Sequence, residues 1–483
     1  MSAHTERIAF EELIGSPRHA AFPQGVKSAP PTLHDAQQNV VLWTRVLPIN
    51  DERSVAVRMR IWPDNSTPSG PGSQLRDGIA QSDHDYTVRV AVDGLTPGTR
   101  YRYQFERIPD GAVSELGATH TLHATTDHCV IGLSSCQARA GGHWTAYREI
   151  ARQALDLFLH VGDYIYAEDP LVFPVRQRHW HPDPTGHARD LDAYREKWRE
   201  YGRDPHLQRA HATTPFAYTW DDHEFENNWN GGVTPPEKLT QFDAAQQAMF
   251  EYMPLLRDPE APGRTYHTLR FGELVEVFVT DGRQYRIPGE TMLGEAQCDW
   301  LLNGLRTSTA TWKLVVSSTA FTRLDKDHAD SWTGFAPERE AILTFLHTHR
   351  IDNVIIGSGD THVAYATDLE LGFERDGVPA SAQDAIPVGV EVCGGAISSP
   401  ASSRSLARPH LNFIEEHHNS WATFAFTPNE AHIDLHFVET DRPNGRYLGA
   451  QSFRVAAGAR SLEMLSSPHL AMARPVEPLG IVR

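Results

Sequence analysis

Two hydrophobic rhythms succeed one another along the chain. From Asn39 to about His123, apolar and polar residues alternate through NVVLWTRV, SVAVRMRIW, DYTVRVAV, RYRYQF and THTLHA. That is the period-2 signature of half-buried strands. The turn-forming DGLTPGT (Asp93–Thr99) separates two of them, GSQLRDG reads as loop, and the set predicts a small β-sandwich. From Cys129 onward the rhythm changes. Short apolar runs (CVIGL, LDLFLHV, PFAYTW, NVIIGS) read as buried strands. Around them HWTAYREIARQAL, LDAYREKWREYG, LTQFDAAQQAMFEYM, GEAQCDWLLNGL and PEREAILTFLHTH space their apolar residues three and four apart, as helices do. A hairpin, TYHTLRF–GE–LVEVFVT, and the later VGVEVC, WATFAF and HIDLHFVET add strands. Such a mixture suits two stacked sheets flanked by helices.

The pattern divides the chain into an irregular arm (1–38), a β-sandwich domain (39–125), an α/β catalytic domain (126–460) and a Pro- and Ser-rich tail (461–483). At 483 residues two domains are expected. Pro-rich Val172–His187 reads as a loop that could wall a pocket, with His179, His181 and His187 facing solvent. No run reaches the ~18 apolar residues of a membrane helix. The 44 basic and 62 acidic residues leave a net −18, which argues against a nucleic-acid or anionic-membrane surface. An anionic substrate would therefore need a local cation, which bound metal supplies. Residues 1–35 hold no apolar signal core and no twin arginine, so the sequence as it stands predicts a cytoplasmic protein, or a secreted or periplasmic one if the N-terminus was trimmed.

Six short segments carry ligand-type residues: SSCQ (Ser134–Gln137), GDYIY (Gly162–Tyr166), WDDHE (Trp220–Glu224), DGRQYR (Asp281–Arg286), SST (Ser317–Thr319) and GDTH (Gly359–His362). Most follow a buried-strand pattern, and strand carboxyl ends converge on the sheet edge where open α/β folds place their sites. Cys136, Asp163, Tyr166, one of Asp221 and Asp222, Asp360 and His362 then form a candidate donor set for hard or borderline cations. Each motif has a plainer reading. Cys136 fits a structural thiol as well as a thiolate, Asp163 a turn cap, and Tyr166 a packed ring. In WDDHE two adjacent carboxylates, a His and a Glu are costly to bury unless they bind metal or each other. Alternation turns only one of Asp221 and Asp222 toward the cleft. His223 is the candidate general acid, and Glu224 would orient it or a ligand. Asn227 and Asn228 read as turn formers in preference to further oxygen ligands. Arg283 is the candidate substrate-binding residue, against an ion pair with Asp281 or Glu251. Cys129, Cys298 and Cys393 read as filler, and no disulfide framework is present. No GxSxG, P-loop or HExxH occurs.

These blocks, in this order, resemble the alkaline phosphatase D family of metallophosphatases from about Asn39 to about Phe453. NVVLWTRV and LTPGTRYRYQF resemble its N-terminal β domain. The latter is also similar to the late strands of fibronectin type III domains, with Tyr101 or Tyr103 as corner tyrosine. SSCQ, DLFLHVGDYIYAED, TWDDHEFENNW, GRQYR, PERE and VIIGSGDTH resemble successive blocks of the catalytic domain. The resemblance implies a four-layer αββα calcineurin-like fold. It also implies a ferric ion on Cys136, Asp163 and Tyr166, with Asp163 bridging to a second cation. Asp222 and His223 would match the Asn-His-Glu motif of metallophosphoesterases, and Asp360 and His362 its terminal His-x-His. The family's second metal is calcium; in a reducing cytoplasm Mn²⁺, Zn²⁺ or Fe²⁺ takes its place. Ser317 and Ser318 stand where relatives often carry Gly-Asn-Gln.

The expected protein is thus a binuclear phosphohydrolase that cleaves a small-molecule phosphate ester by attack of a metal-bound hydroxide. The alternatives are a phosphodiesterase or phospholipase D-type activity on the same site and, less favoured, a metal-stabilised binding protein. Nothing in the chain specifies an oligomeric state.

Overall fold

The computed structural model describes residues 20–34, 37–122, 125–168, 186–255, 258, 260–324, 329–371, 374–375, 378–379, 386–400 and 411–466. Most of the N-terminal arm, the tail beyond 466, and Val172–Pro184 with His179 and His181 lie outside the described residues. The chain forms two compact units that interleave in sequence. One comprises 1–123, 189–217 and 244–263; the other comprises 124–188, 218–243 and 264–483. The sequence pattern predicted contiguous blocks instead.

In the first unit, alternating burial builds two antiparallel sheets. Gln37–Arg45 is flanked by Val26–Ser28, Thr32–His34 and Thr87–Leu95. Ser54–Pro63 pairs with Gln74–Gln81 and with Arg100–Arg107, which also carries Ala112–Val113 and Gly117–His120. Val40, Leu42, Val57, Met59, Ile61, Val92, Tyr103 and Phe105 fill their core. Of the two candidate tyrosines, Tyr101 closes the corner, its hydroxyl accepting the Thr96 N–H at 2.9 Å. GSQLRDG is not a loop: Gln74–Gln81 is an edge strand. Its large apolar residues, Leu75 and Ile79, are exposed while Gln74 and Arg76 on the other face are half-buried, so no apolar face turns inward to mark the strand, and the Arg58–Asp77 and Arg76–Asp93 ion pairs accompany its pairing instead.

The inserted segments join this unit through buried polar contacts. Arg195 holds Glu251 through two 2.7 Å bonds, Arg199 pairs with Asp85 at 2.7 Å, and Trp43 Nε1 donates to the Glu251 carbonyl. Helix Pro205–Thr213, which the pattern did not single out, is started by Asp204. Its carboxylate caps the His206 and Leu207 N–H groups, with Pro at the first helical position.

The second unit contains two seven-stranded sheets. One runs Phe216–Tyr218, Leu157–His160, Cys129–Ser134, Asn419–Phe426, Glu430–Val438, Tyr447–Ala456, Glu463–Met464. The other runs His267–Phe271, Val275–Val279, Trp312–Val316, Val354–Ser358, Ile386–Gly394, Ala364–Leu371, Phe413–Glu415. Cys129–Ser134 and Leu157–His160 are parallel, as are the four consecutive strands from Val275–Val279 to Ile386–Gly394. Every residue of Cys129–Ser134, Leu157–His160 and Val354–Ser358 is buried, as expected of strands covered on both faces. Leu133 lies so close to Gly357 that a Cβ there would sit 2.5 Å from Leu133 Cδ1. Helices Glu295–Thr307 and Ala336–Thr348 pack Leu301, Leu305, Ile342 and Leu346 against Phe278, Val315 and Ile356 of the second sheet. Among the described residues no helix is long and apolar enough to cross a membrane.

Lys27 gives the first unit a testable pH response. It is 2% exposed, with Nζ 2.8 Å from the Tyr252 carbonyl and 4.5 Å from the Trp43 ring centre. Burial pushes its pKa down from 10.5 to about 7. Between those values the unfolded chain binds a proton that the folded chain does not, so stability falls as pH drops through the window. Lys27→Met should therefore gain stability relative to the parent as pH falls from about 10 to about 6, read by denaturant unfolding. A difference that stays constant with pH would rule this out.

Candidate metal centre

The site begins where four strands end. Ser134 leads to Cys136, His160 to Asp163, Tyr218 to Asp221 and Asp222, and Ser358 to Asp360 and His362. Cys136, Asp163, Asp360 and His362 all have left-handed backbones, with φ of 55°, 56°, 69° and 59°. Non-glycine residues pay roughly 1–2 kcal/mol for that conformation, and such strain concentrates at functional sites. Local bonds hold it in place: Cys136 N–H donates to the Gly162 carbonyl, Gln137 N–H to the Asp163 carbonyl, and Asp360 N–H to Ser135 Oγ. Gly162, at φ 107°, is required, because a Cβ there would meet the Asp221 nitrogen at 2.6 Å.

Three groups of ligand-type side chains result: Cys136, Asp163 and His362; Asp163, Asp222 and His223; and Asp221, Asp222 and Asp360. In each, one ligand atom per residue lies within 4.8 Å of the others. Asp163 belongs to the first two and Asp222 to the last two. Tyr166 joins through its hydroxyl, 2.9 Å from Asp163 Oδ2 and 3.5 Å from His362 Nε2. All six residues expected as ligands are therefore brought together. DGRQYR and SST contribute no member to these groups.

Electrostatics shows what this arrangement demands. Burial, reinforced by neighbouring carboxylates, pushes Asp163 and Asp360 well above the usual carboxylate range and Cys136 above the usual thiol range. His223 and Arg283 oppose the rise at Asp163 and Asp360 respectively. Burial would raise Asp222 too, but Arg283, His223 and the Asn228 N–H hold it below the normal range. Burial would lower His223, yet Asp222, Asp163 and Glu168 raise it well above 6.5. Anionic groups crowded out of water with so little counter-charge fit bound cations. The thiol, phenol, imidazole and carboxylate donors fit a hard or borderline metal.

One expectation needs correction and one is narrowed. Arg283 is not placed to bind substrate, because its guanidinium is fully buried. It grips Asp221 at 2.5 and 3.0 Å and Asp330 at 2.8 Å, and its ion-pair partner is neither Asp281 nor Glu251. Asp281 accepts the Arg283 and Gln284 N–H groups instead. Of the two roles expected of Glu224, to orient His223 or a candidate ligand, its bonds fit the second. Its oxygens accept the backbone N–H groups of Asp163, Tyr164 and Asp221 at 3.1, 2.6 and 2.9 Å. Burial lifts it to about 7 against those bonds.

The partner of His223 is Glu168, which the sequence reading missed. Oε1 of Glu168 lies 2.7 Å from Nδ1 and also accepts the Asn227 N–H. The His223 ring stacks on Tyr166 at 4.2 Å, with Nε2 left free of that bond. Glu168 lies five residues beyond Asp163 in GDYIYAE, a loop position with no periodic signal.

A family model described as PhoD-like phosphatase matches residues 131–442, more than half of the chain. The chain belongs to the PhoD-like phosphatase family. A second model, the N-terminal domain of PhoD-like phosphatases, matches residues 9–123. Alkaline phosphatase D of Bacillus subtilis (strain 168) is 28% identical over 472 residues, covering 88% of this chain and 79% of that protein. A solved structure of PhoD matches with a TM-score of 0.81 and 28% identity over 94% of both chains. Purple acid phosphatase PPD1 from yellow lupin shares the fold at 11% identity, with a TM-score of 0.59 over 89% of this chain and 74% of that one. This PhoD-like phosphatase is thus a phosphate-ester hydrolase with a metallophosphoesterase-like fold and a separate N-terminal β domain.

The bracing role of Arg283 predicts a stability phenotype. Arg283→Met strands Asp221 in the interior and should cost about 3–5 kcal/mol, seen as a large fall in melting temperature. A variant with unchanged melting and only a raised KM would restore the substrate-binding role.

Proposed function

We propose that this PhoD-like phosphatase hydrolyses phosphate esters at a binuclear metal centre bridged by Asp163. The observation that carries the reading is the membership of Asp163 in two of the three ligand groups. Cys136, Tyr166, Asp163 and His362 would hold a ferric-type ion. Asp163 and Asp222 would hold a second cation, Ca²⁺ by family likeness or Mn²⁺, Zn²⁺ or Fe²⁺, with Asp360 adjoining. Asp222 is preferred to Asp221 as ligand because Arg283 already occupies both Asp221 oxygens. Bound there, the cations would acidify a water molecule and neutralise charge on the phosphoryl oxygens.

The chain's own residues do the rest. Glu168 fixes Nδ1 of His223, so that Nε2 offers its proton to the leaving oxygen. The Tyr166 ring supports the imidazole from one face. Glu224 locks the Asp163 and Asp221 backbones, and Arg283 opposes the burial-driven rise of the Asp221 pKa and holds that carboxylate in place. We also assign a fibronectin type III-like topology to the N-terminal domain, on the Tyr101 corner and its paired antiparallel sheets. The second unit is assigned a four-layer αββα arrangement, on its two sheets and flanking helices.

Asp163→Asn should empty both metal positions together and remove activity, because one carboxylate serves both cations. Metal analysis showing loss of only one equivalent would sink the bridging role. His223→Asn should lower kcat by ~10²–10⁴-fold with metal content retained, as expected for loss of a general acid. The loss should be smaller for nitrophenyl esters, whose leaving group departs as an anion, than for alkyl esters. Glu168→Gln should show the same leaving-group dependence in weaker form. Equal losses for aryl and alkyl esters would argue for a binding role, and loss of metal would make His223 a ligand.

A further inference from the structure

The segment Gly395–Pro400 carries no acidic, imidazole or thiol side chain, yet it is tied to the site at almost every residue. Ile397 N–H donates to the Ser135 carbonyl at 2.9 Å and Ser399 N–H to the Cys136 carbonyl at 3.0 Å. Ser398 Oγ donates to the Ala138 carbonyl, and the Asn419 amide donates to the carbonyls of Ala396 and Ser399. Ser399 is fully buried. Its hydroxyl oxygen accepts the Ala138 N–H at 3.1 Å and lies 2.8 Å from the Tyr166 hydroxyl.

Proton counting fixes the direction of that last bond. As a metal ligand, Tyr166 is a phenolate and can only accept. His362 pairs Nδ1 with the Pro400 carbonyl at 2.9 Å, which puts its proton there and leaves Nε2 as a lone pair unable to donate to Tyr166. Ser399, 2.8 Å away, is then a hydroxyl positioned to donate to the Tyr166 oxygen. The Ala138 N–H fills one of its lone pairs and sets its orientation.

We propose that Ser399 is the positioning residue that tunes Tyr166 as a metal donor, its hydrogen bond drawing charge from the phenolate and setting how strongly that oxygen binds the cation. Outer hydrogen bonds of this kind both orient a ligand and adjust its basicity. The proposal rests on the reading of Tyr166 as a ligand.

The test uses the full-length protein loaded with Fe(III), a hard cation matched to phenolate oxygen, and reads the phenolate-to-iron charge-transfer band. Removing the donor in Ser399→Ala raises the energy of the phenolate electrons, so the band should move to longer wavelength at unchanged iron content. Ser399→Thr, which keeps the hydroxyl, should return it. Should the alanine variant not fold, Ser399→Cys provides the same readout, since a thiol is a weak donor. A band at the parental wavelength in folded, iron-replete Ser399→Ala or Ser399→Cys overturns the tuning role. Reduced iron content with an unmoved band also overturns it, leaving a purely structural serine. If the parent protein binds Fe(III) without any such band, Tyr166 is not a ligand, and the underlying reading of the centre fails together with this one.

Discussion

Several carboxylates, a thiol and a phenol meet out of water at the carboxyl edge of the strands, with Arg283 as their fully buried guanidinium counter-charge. Anionic groups so placed repel one another and lose their hydration, a cost of several kcal/mol per ion in protein interiors. Much of the surrounding structure serves to keep them there. Glu224 spends its two oxygens on three backbone N–H groups of the ligand-bearing turns. Arg283 is held between Asp221 and Asp330, and Arg286 also binds Asp330, so one half-buried carboxylate backs two buried cations.

The same constraint shapes the backbone. A strand that simply continued would turn successive side chains to opposite faces. Left-handed steps at Cys136, Asp163, Asp360 and His362 break that alternation where the side chains must converge. Holding such steps requires a rigid frame. The second sheet supplies part of it through Glu391, a buried carboxylate on Ile386–Gly394. Its oxygens accept from Phe321 N–H, Thr322 N–H, Ser358 Oγ and the Tyr365 hydroxyl. Four chain segments are thereby tied together just below the Asp360 turn.

Chemistry and scaffold are thus separable by distance from the edge. On the proposed reading the clustered side chains are metal donors and a proton carrier, and those behind them hold the cluster in place through hydrogen bonds and ion pairs. Glu168 and Ser399 stand between the two sets. Each touches one side chain of the proposed centre directly, His223 or Tyr166, and on that reading each sets where a proton resides.

How far the sequence reached follows from the range of the interactions involved. The strand runs, most helices and the donor set of Cys136, Asp163, Tyr166, Asp222, Asp360 and His362 were legible because each is a local pattern: an apolar period, then a ligand-type residue at a strand end. The family followed from the order of those blocks. What stayed hidden was set by partners far away in the chain. Arg283 finds Asp221 across 62 residues, His223 finds Glu168 across 55, and Ser399 finds Tyr166 across 233. The Gln74–Gln81 edge strand likewise depends on Ser54–Pro63 for its hydrogen bonds, and its Leu75 and Ile79 side chains are exposed, so no buried apolar face announces it. Residue type and spacing determine which groups are available for chemistry. Which group neutralises, orients or tunes another is decided only when the sheets close, because hydrogen bonds and ion pairs act over a few ångströms and take no account of separation along the chain.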